Sequence, residues 1–201
     1  MKQEPLLPEV EKHRKPDHPI HPLLLNRWSP RAMTGESISE EDLKSLFEAA
    51  RWAPSSFNEQ PWRFLYAKTK TPNFERFLSF LVPFNQSWAA KAAVLGVSIS
   101  KRTFEKNGSP SPSHAYDAGA AWENICLEAT HRGLAIHGMS GFDYAKVKND
   151  LEVPDDYEVL AMFAIGKHAQ LETLPTDLQK REFPSSRKKV EEFIMEGKFR
   201  K

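Results

Sequence analysis

The chain has 201 residues and is 40% hydrophobic, the size of one compact domain with enough apolar material for a core. Its 28 Lys and Arg against 27 Asp and Glu leave a net charge of +1, so no whole-molecule field favours nucleic acid or an anionic membrane, and any anion site must be local. The single cysteine, Cys126, excludes an internal disulfide and suits a reducing cytoplasm, the polar opening stretch does not read as a secretory signal, and no apolar run approaches the ~18 residues of a membrane span.

Pro5, Pro8, Pro16, Pro19 and Pro22 remove backbone donors and disfavour helix, which predicts an extended arm over residues 1–22, free to lie against a partner subunit, ahead of a single domain over 23–201. Ser39 followed by Asp42 reads as a capping box, with Leu43, Leu46, Phe47 and Ala50 at helical spacing up to Pro54. Trp62, Phe64 and Tyr66 alternate with Arg63, Leu65 and Ala67 as a half-buried strand does, and Phe74, Phe77, Leu78 and Leu81 return to helical spacing. The continuous apolar run from Ala92 to Ile99 predicts a central strand covered on both faces, and Lys101 to Ser113 a loop.

The longest helical pattern runs from His114 to Arg132, with Ala115, Ala118, Trp122, Ile125 and Ala129 on one stripe and Gly133 at its end. Its small residues Ala118, Gly119, Ala120 and Ala121 would admit another backbone. Cys126, inside this pattern, reads as a small buried residue rather than a nucleophile. A short apolar stretch at Leu134–Ile136, a helix from near Asp143, a strand from Tyr157 to Ile165 and a short helix around Val190–Met195 complete the chain. Strict βαβ alternation and the dinucleotide glycine fingerprint are both missing, so the expected class is α+β: a central mixed, mainly antiparallel sheet flanked by helices.

Four segments could carry chemistry. In Arg27-Trp28-Ser29-Pro30-Arg31 two guanidinium groups four residues apart and a hydroxyl suit a phosphate, although a solvated basic turn reads the same way. In Ala53 to Trp62, prolines frame a polar loop whose Asn58 and Gln60 offer donor and acceptor together, as a pyrimidine-like ring edge requires; Ser56 and its neighbours are also plain turn formers. The turn His137-Gly138-Met139-Ser140-Gly141-Phe142-Asp143 offers backbone donors to a ring atom, or simply a tight connection capped by Asp143. Ser185-Ser186-Arg187-Lys188-Lys189 is by itself a surface charge run. Zinc, P-loop and GxSxG motifs do not occur, and His13, His18 and His21 sit in an arm with no structured face to set a metal geometry.

Taken in order, these segments resemble the FMN-dependent nitroreductase superfamily from about Asn26 to the C-terminal helix. RWSPR is similar to that family's R-x-S-x-R start and PSSFNEQPW to its P-S-x-x-N-x-Q-P-W segment; Asn85-Gln86-Ser87-Trp88, Arg132-Gly133-Leu134, the Gly138–Phe142 turn and Ala164-Ile165-Gly166 match further landmarks. The resemblance implies an intertwined homodimer with FMN between the subunits. It implies that Arg27, Ser29 and Arg187 hold the ribityl phosphate, that Arg31 lies toward the N1 and O2 edge of the flavin and Asn58 toward its pyrimidine edge, and that the backbone of Ser140 and Gly141 faces N5. Hydride transfer through a flavin needs orientation and charge tuning more than an acid–base pair, so a missing catalytic dyad is consistent with it.

The implied reaction is ping-pong: NADH or NADPH reduces the flavin, and an electron-poor acceptor such as a nitroaromatic or quinone then reoxidises it. Reductive dehalogenation, consumption of the flavin itself, or a non-catalytic flavin sensor are the alternatives on the same fold. Three departures from the family pattern stand out: Trp28 where many members carry Arg or His, a loop instead of helices between Lys101 and Ser113, and the proline-rich arm.

Overall fold

The computed structural model describes residues 5–200; the first four residues of the expected arm lie outside them. Four strands, β1 (Trp62–Lys68), β2 (Val94–Lys101), β3 (Leu134–Met139) and β4 (Tyr157–Lys167), form one sheet in the order β1-β2-β4-β3. Every neighbouring pair is antiparallel, so the expected mainly antiparallel sheet has no parallel pair among the described residues.

Strand alternation sorts the core into two layers. Leu95, Val97, Ile99, Met162 and Ala164 point to one face, with Phe74 and Phe77 of α4 (Pro72–Leu78), Trp88 of α5 (Pro83–Ala89) and Val147 of α7 (Tyr144–Asp150). Val94, Phe163, Ile165 and Ile136 point to the other. There they meet Leu43 and Leu46 of α3 (Glu40–Arg51) and Ala118, Ala121, Ile125 and Ala129 of α6 (His114–His131). Helices on both sheet faces explain why β2 reads as an unbroken apolar run.

Local chemistry sets the element ends. Ser39 Oγ accepts from the Asp42 N–H at 2.9 Å and caps α3. Gly133, at φ 68°, ends α6 in the left-handed region that favours glycine. In β2, Gly96 leaves room for the ring of Phe163 on β4, whose nearest atom would lie 2.1 Å from an added Cβ.

Several elements differ from the sequence reading. The arm is not wholly extended: α1 (Pro8–Glu11) forms a single turn with Pro8 in its first turn, and α2 (Pro22–Asn26) begins at the proline expected to end the arm. Asn26, buried, accepts from the Leu7 N–H and donates to the Pro5 carbonyl, both at 3.0 Å, so this part of the arm folds back on its own chain. Sequence periodicity missed α5 and α8 (Thr176–Gln179): α5 buries only the adjacent Trp88 and Ala89 and α8 only Leu178, so neither presents a helical stripe. The expected helix around Val190–Met195 is only a 3-10 turn over Val190–Glu192. Ala115 is exposed rather than part of the buried stripe of α6.

Candidate functional site

The two basic segments, far apart in sequence, meet. Arg27, Trp28, Ser29 and Arg31 line a cleft of about 280 Å³ together with Arg187, His137 of β3, and two arginines that sequence reading passed over, Arg14 and Arg181. Gly166 helps to place the first segment: Met33, just beyond it, forms an isolated bridge to His168 and lies over Gly166, where its Sδ would come within 3.1 Å of an added Cβ.

Two side chains tie the cleft together. Arg14 Nη1 donates to the carbonyls of Leu25 (2.6 Å) and Arg27 (2.7 Å), and its Nε donates to the Ser185 carbonyl at 3.0 Å. Glu182, whose side chain is 4% exposed, accepts from the backbone N–H groups of Arg31 and Ala32 and pairs with Arg31 Nη1 at 3.5 Å. Neither residue carried a local sequence signal, because each acts on a segment more than ten residues away.

The electrostatics are unbalanced. Five arginines face two carboxylates, Glu182 and Glu123; the latter lies 3.4 Å from Arg27 Nε. The buried Nε atoms of Arg27 and Arg31 nevertheless lack a well-formed hydrogen bond among the described residues. Burial first, then the nearby charges of Arg187 and Arg27, push the Arg14 guanidinium down to about 10, still cationic at neutral pH. Burial, followed by the charge of Arg31, holds His137 down to about 4, so it is neutral at pH 7. Its Nδ1 carries the proton, because the Pro30 carbonyl 3.3 Å away can only accept.

The remaining candidates do not line this cleft. Phe57, Asn58 and Gln60 have φ of 52°, 57° and 51°, a left-handed backbone that non-glycine residues adopt at a cost of ~1–2 kcal/mol each. The loop is braced by the Ser56 N–H donating to Asp117 Oδ2 at 3.1 Å and by the Gln60 N–H donating to Ser55 Oγ at 3.0 Å. Gln60 Nε2 is spent on the Asn58 carbonyl, whereas the Asn58 side-chain amide makes no hydrogen bond within the described chain and is exposed. Met139 is buried in the core, which leaves only its backbone to serve a ligand. Ser140 is exposed, and the Gly141 carbonyl accepts from Val82 N and Asn85 Nδ2, so this turn is fixed to α5. The Gly141 N–H has no partner in the described chain.

Two other constellations are inert. Ser100 Oγ, His114 Nδ1 (2.7 Å) and Glu158 Oε2 (3.5 Å from His114 Nε2) form a chain like a nucleophile with its base, but Ser100 has no accessible surface and instead anchors α6 to β2. Cys126 is buried, and burial pushes its thiol well above the usual range. His13 stacks on Phe183 and His21 caps α2, which gives two of the three arm histidines structural roles.

Fold and cleft together define an α+β protein with helices on both faces of an antiparallel sheet and a preformed basic pocket beside its edge strand. Residues 24–167 match the family profile described as Nitroreductase family, and the chain belongs to that family of oxidoreductases. A solved structure described as an oxidoreductase containing FMN superposes with a TM-score of 0.89 at 39% identity, covering 93% of this chain and 96% of the other. A Desulfovibrio desulfuricans protein provisionally named a nitroreductase and solved with FMN gives 0.72 at 24% identity, over 92% and 99% of the two chains. An Archaeoglobus fulgidus protein provisionally named an NADH dehydrogenase/NAD(P)H nitroreductase is 25% identical over 148 residues, 72% of this chain and 82% of its own.

Proposed function

We propose that the protein is an FMN-dependent oxidoreductase that uses NADH or NADPH to reduce electron-poor acceptors such as nitroaromatics or quinones by turns, as a cytoplasmic homodimer. The observation that carries this reading is the convergence of Arg27, Arg31 and Arg187 on one cleft where two buried guanidinium nitrogens lack a hydrogen-bonded acceptor. A phosphate monoester, with a charge of roughly −1.5 to −2 and three acceptor oxygens, fits that donor set and relieves its repulsion. FMN held there would supply the redox chemistry, hydride transfer between the nicotinamide and the acceptor.

The chain's own residues bind and orient. Arg27, Ser29 and Arg187 hold the phosphate, and Arg31 sets positive charge toward the ring edge that becomes anionic on reduction. The exposed amide of Asn58 would pair with the pyrimidine edge, and the Gly141 N–H, without a partner in the described chain, would donate to the ring. Neither the Asn58 loop nor the Gly141 turn lines the arginine cleft, so the ring site is completed by a second copy of the chain. The accessible surface supports this: 12428 Å² exceeds the about 9,600 Å² expected for a compact monomer of this mass. A surplus on the order of 2,800 Å² is what a subunit opened out for an extensive interface exposes.

The test is an absorbance spectrum of the purified protein before and after each nicotinamide under argon. Yellow protein bleached by NADH or NADPH and recoloured by a nitroaromatic or quinone is the expected result. Colourless protein that takes up no added FMN overturns the proposal. Arg27→Ala and Arg187→Ala each weaken FMN binding by about 2 kcal/mol, or roughly thirtyfold in Kd, measured by flavin fluorescence on titration.

A further inference from the structure

The N-terminal arm supplies a guanidinium to the cleft, and its position is unusual. Arg14 reaches three carbonyls in two segments: its hydrogen bonds end on Leu25 and Arg27 at the start of the domain and on Ser185, 171 residues away. The Ser185 carbonyl also accepts from Arg187 Nη1 at 3.2 Å, so two guanidinium groups share one oxygen. Arg14 Nη2 makes no hydrogen bond among the described residues, although the residue lines the cleft.

Capping backbone carbonyls needs only a neutral donor. Holding a half-buried cation beside Arg27 and Arg187 is unfavourable until an anion arrives: burial first, then the charges of Arg187 and Arg27, lower the Arg14 pKa to about 10. We infer that Arg14 is a phosphate-binding residue contributed by the arm, so that the arm acts as a clamp that the cofactor phosphate closes against Ser185 and Arg187. This rests on the FMN site proposed above and adds to it a residue outside the matched family region, which begins at residue 24.

Linkage makes the claim two-sided: if the arm tightens phosphate binding, phosphate must tighten the arm by the same factor. Full-length protein stripped of flavin is titrated with FMN and with riboflavin, which carries the same ring without the phosphate. Arg14→Gln lowers the preference for FMN over riboflavin about tenfold, one charge-assisted contact, with riboflavin affinity unchanged, and Arg14→Lys restores part of it. Equal weakening of both flavins makes Arg14 a purely structural tie and overturns the inference, as does an unchanged preference.

A second measurement needs no variant and stands if Arg14→Gln fails to fold. Trypsin cuts the unmodified chain after Arg14, and FMN slows that cut several-fold while riboflavin does not. Equal rates with the two flavins reject the clamp. A wild-type chain that binds neither flavin removes the FMN site and the clamp with it; a chain that prefers FMN, with an arm indifferent to it, removes the clamp alone.

Discussion

At the scale of single residues, the site is governed by uncompensated charge. His137 shows the sign of the effect. Burial beside Arg31 holds it down to about 4, whereas an unfolded histidine titrates near ~6.5. Above pH ~6.5 neither state is protonated and the residue has no pH effect. As pH falls from ~6.5 toward ~4 the unfolded chain takes up a proton that the folded chain refuses, so stability drops by up to about 3 kcal/mol. His137→Asn removes this contribution, and denaturant melts of the two proteins at pH 7 and pH 4.5 give a shallower acid loss in the variant; parallel losses would show that His137 carries no linked proton. Arg27, Arg31 and Arg187 were legible in the sequence because their spacing and order matched a known pattern. Arg14, Arg181 and Glu182 were not, since a guanidinium in a proline-rich arm and a carboxylate in a polar tail acquire meaning only from the backbone groups they reach.

Among the elements, the strongest periodic signals gave the most faithful reading. The cap at Ser39, the apolar run of β2 and the glycine end of α6 each follow from local chemistry, and each is found where expected; β1 forms where expected but is not buried on one side only, since Ala67 is buried and Tyr66 is 45% exposed. Of the elements of one or two turns, α4 and α7 carried a spacing or capping signal, whereas α5 and α8 did not: they are held by tertiary contacts such as buried Trp88 and Leu178, not by a repeating stripe. Sheet pairing imposes its own demand at Gly96, which accepts the Phe163 ring across the β2–β4 pair. Gly96→Ala forces that ring to move within a filled layer that includes Trp122, 5.4 Å away, and costs about 2–3 kcal/mol by overpacking. Chemical denaturation measures it; a loss below ~0.5 kcal/mol would mean that the ring has free space to move into.

For the whole molecule, the question is what covers the exposed face. Phe57 is 90% exposed and Tyr116 83%, and Gly119 on α6 has nothing within 4 Å of where a Cβ would stand. Those residues and the surplus surface fit a second copy of the chain packed along the exposed side of α6; of the small-residue run, Ala118 and Ala121 instead face this chain's own core beside α3. Gly119→Arg tests this sharply. In the single chain the new side chain meets open space and improves helix propensity by ~1 kcal/mol, so the fold survives. In a dimer packed along α6 it cannot be accommodated, and sedimentation then shows monomers with reduced FMN content. A variant that stays dimeric and retains its flavin would place the interface elsewhere.

The amino-acid sequence determined the α+β class, the identities and limits of the long elements, and which residue types were available to hold a phosphorylated flavin, because caps, alternation and helical spacing depend on neighbours a few residues away. The folded chain alone decided that the early and late basic segments share one cleft, that Arg14 and Glu182 tie it, that Gln60 is spent within its own loop and that Met139 belongs to the core. These outcomes depend on contacts between residues up to 171 positions apart, set by how strands pair and layers fill, and no local pattern encodes them.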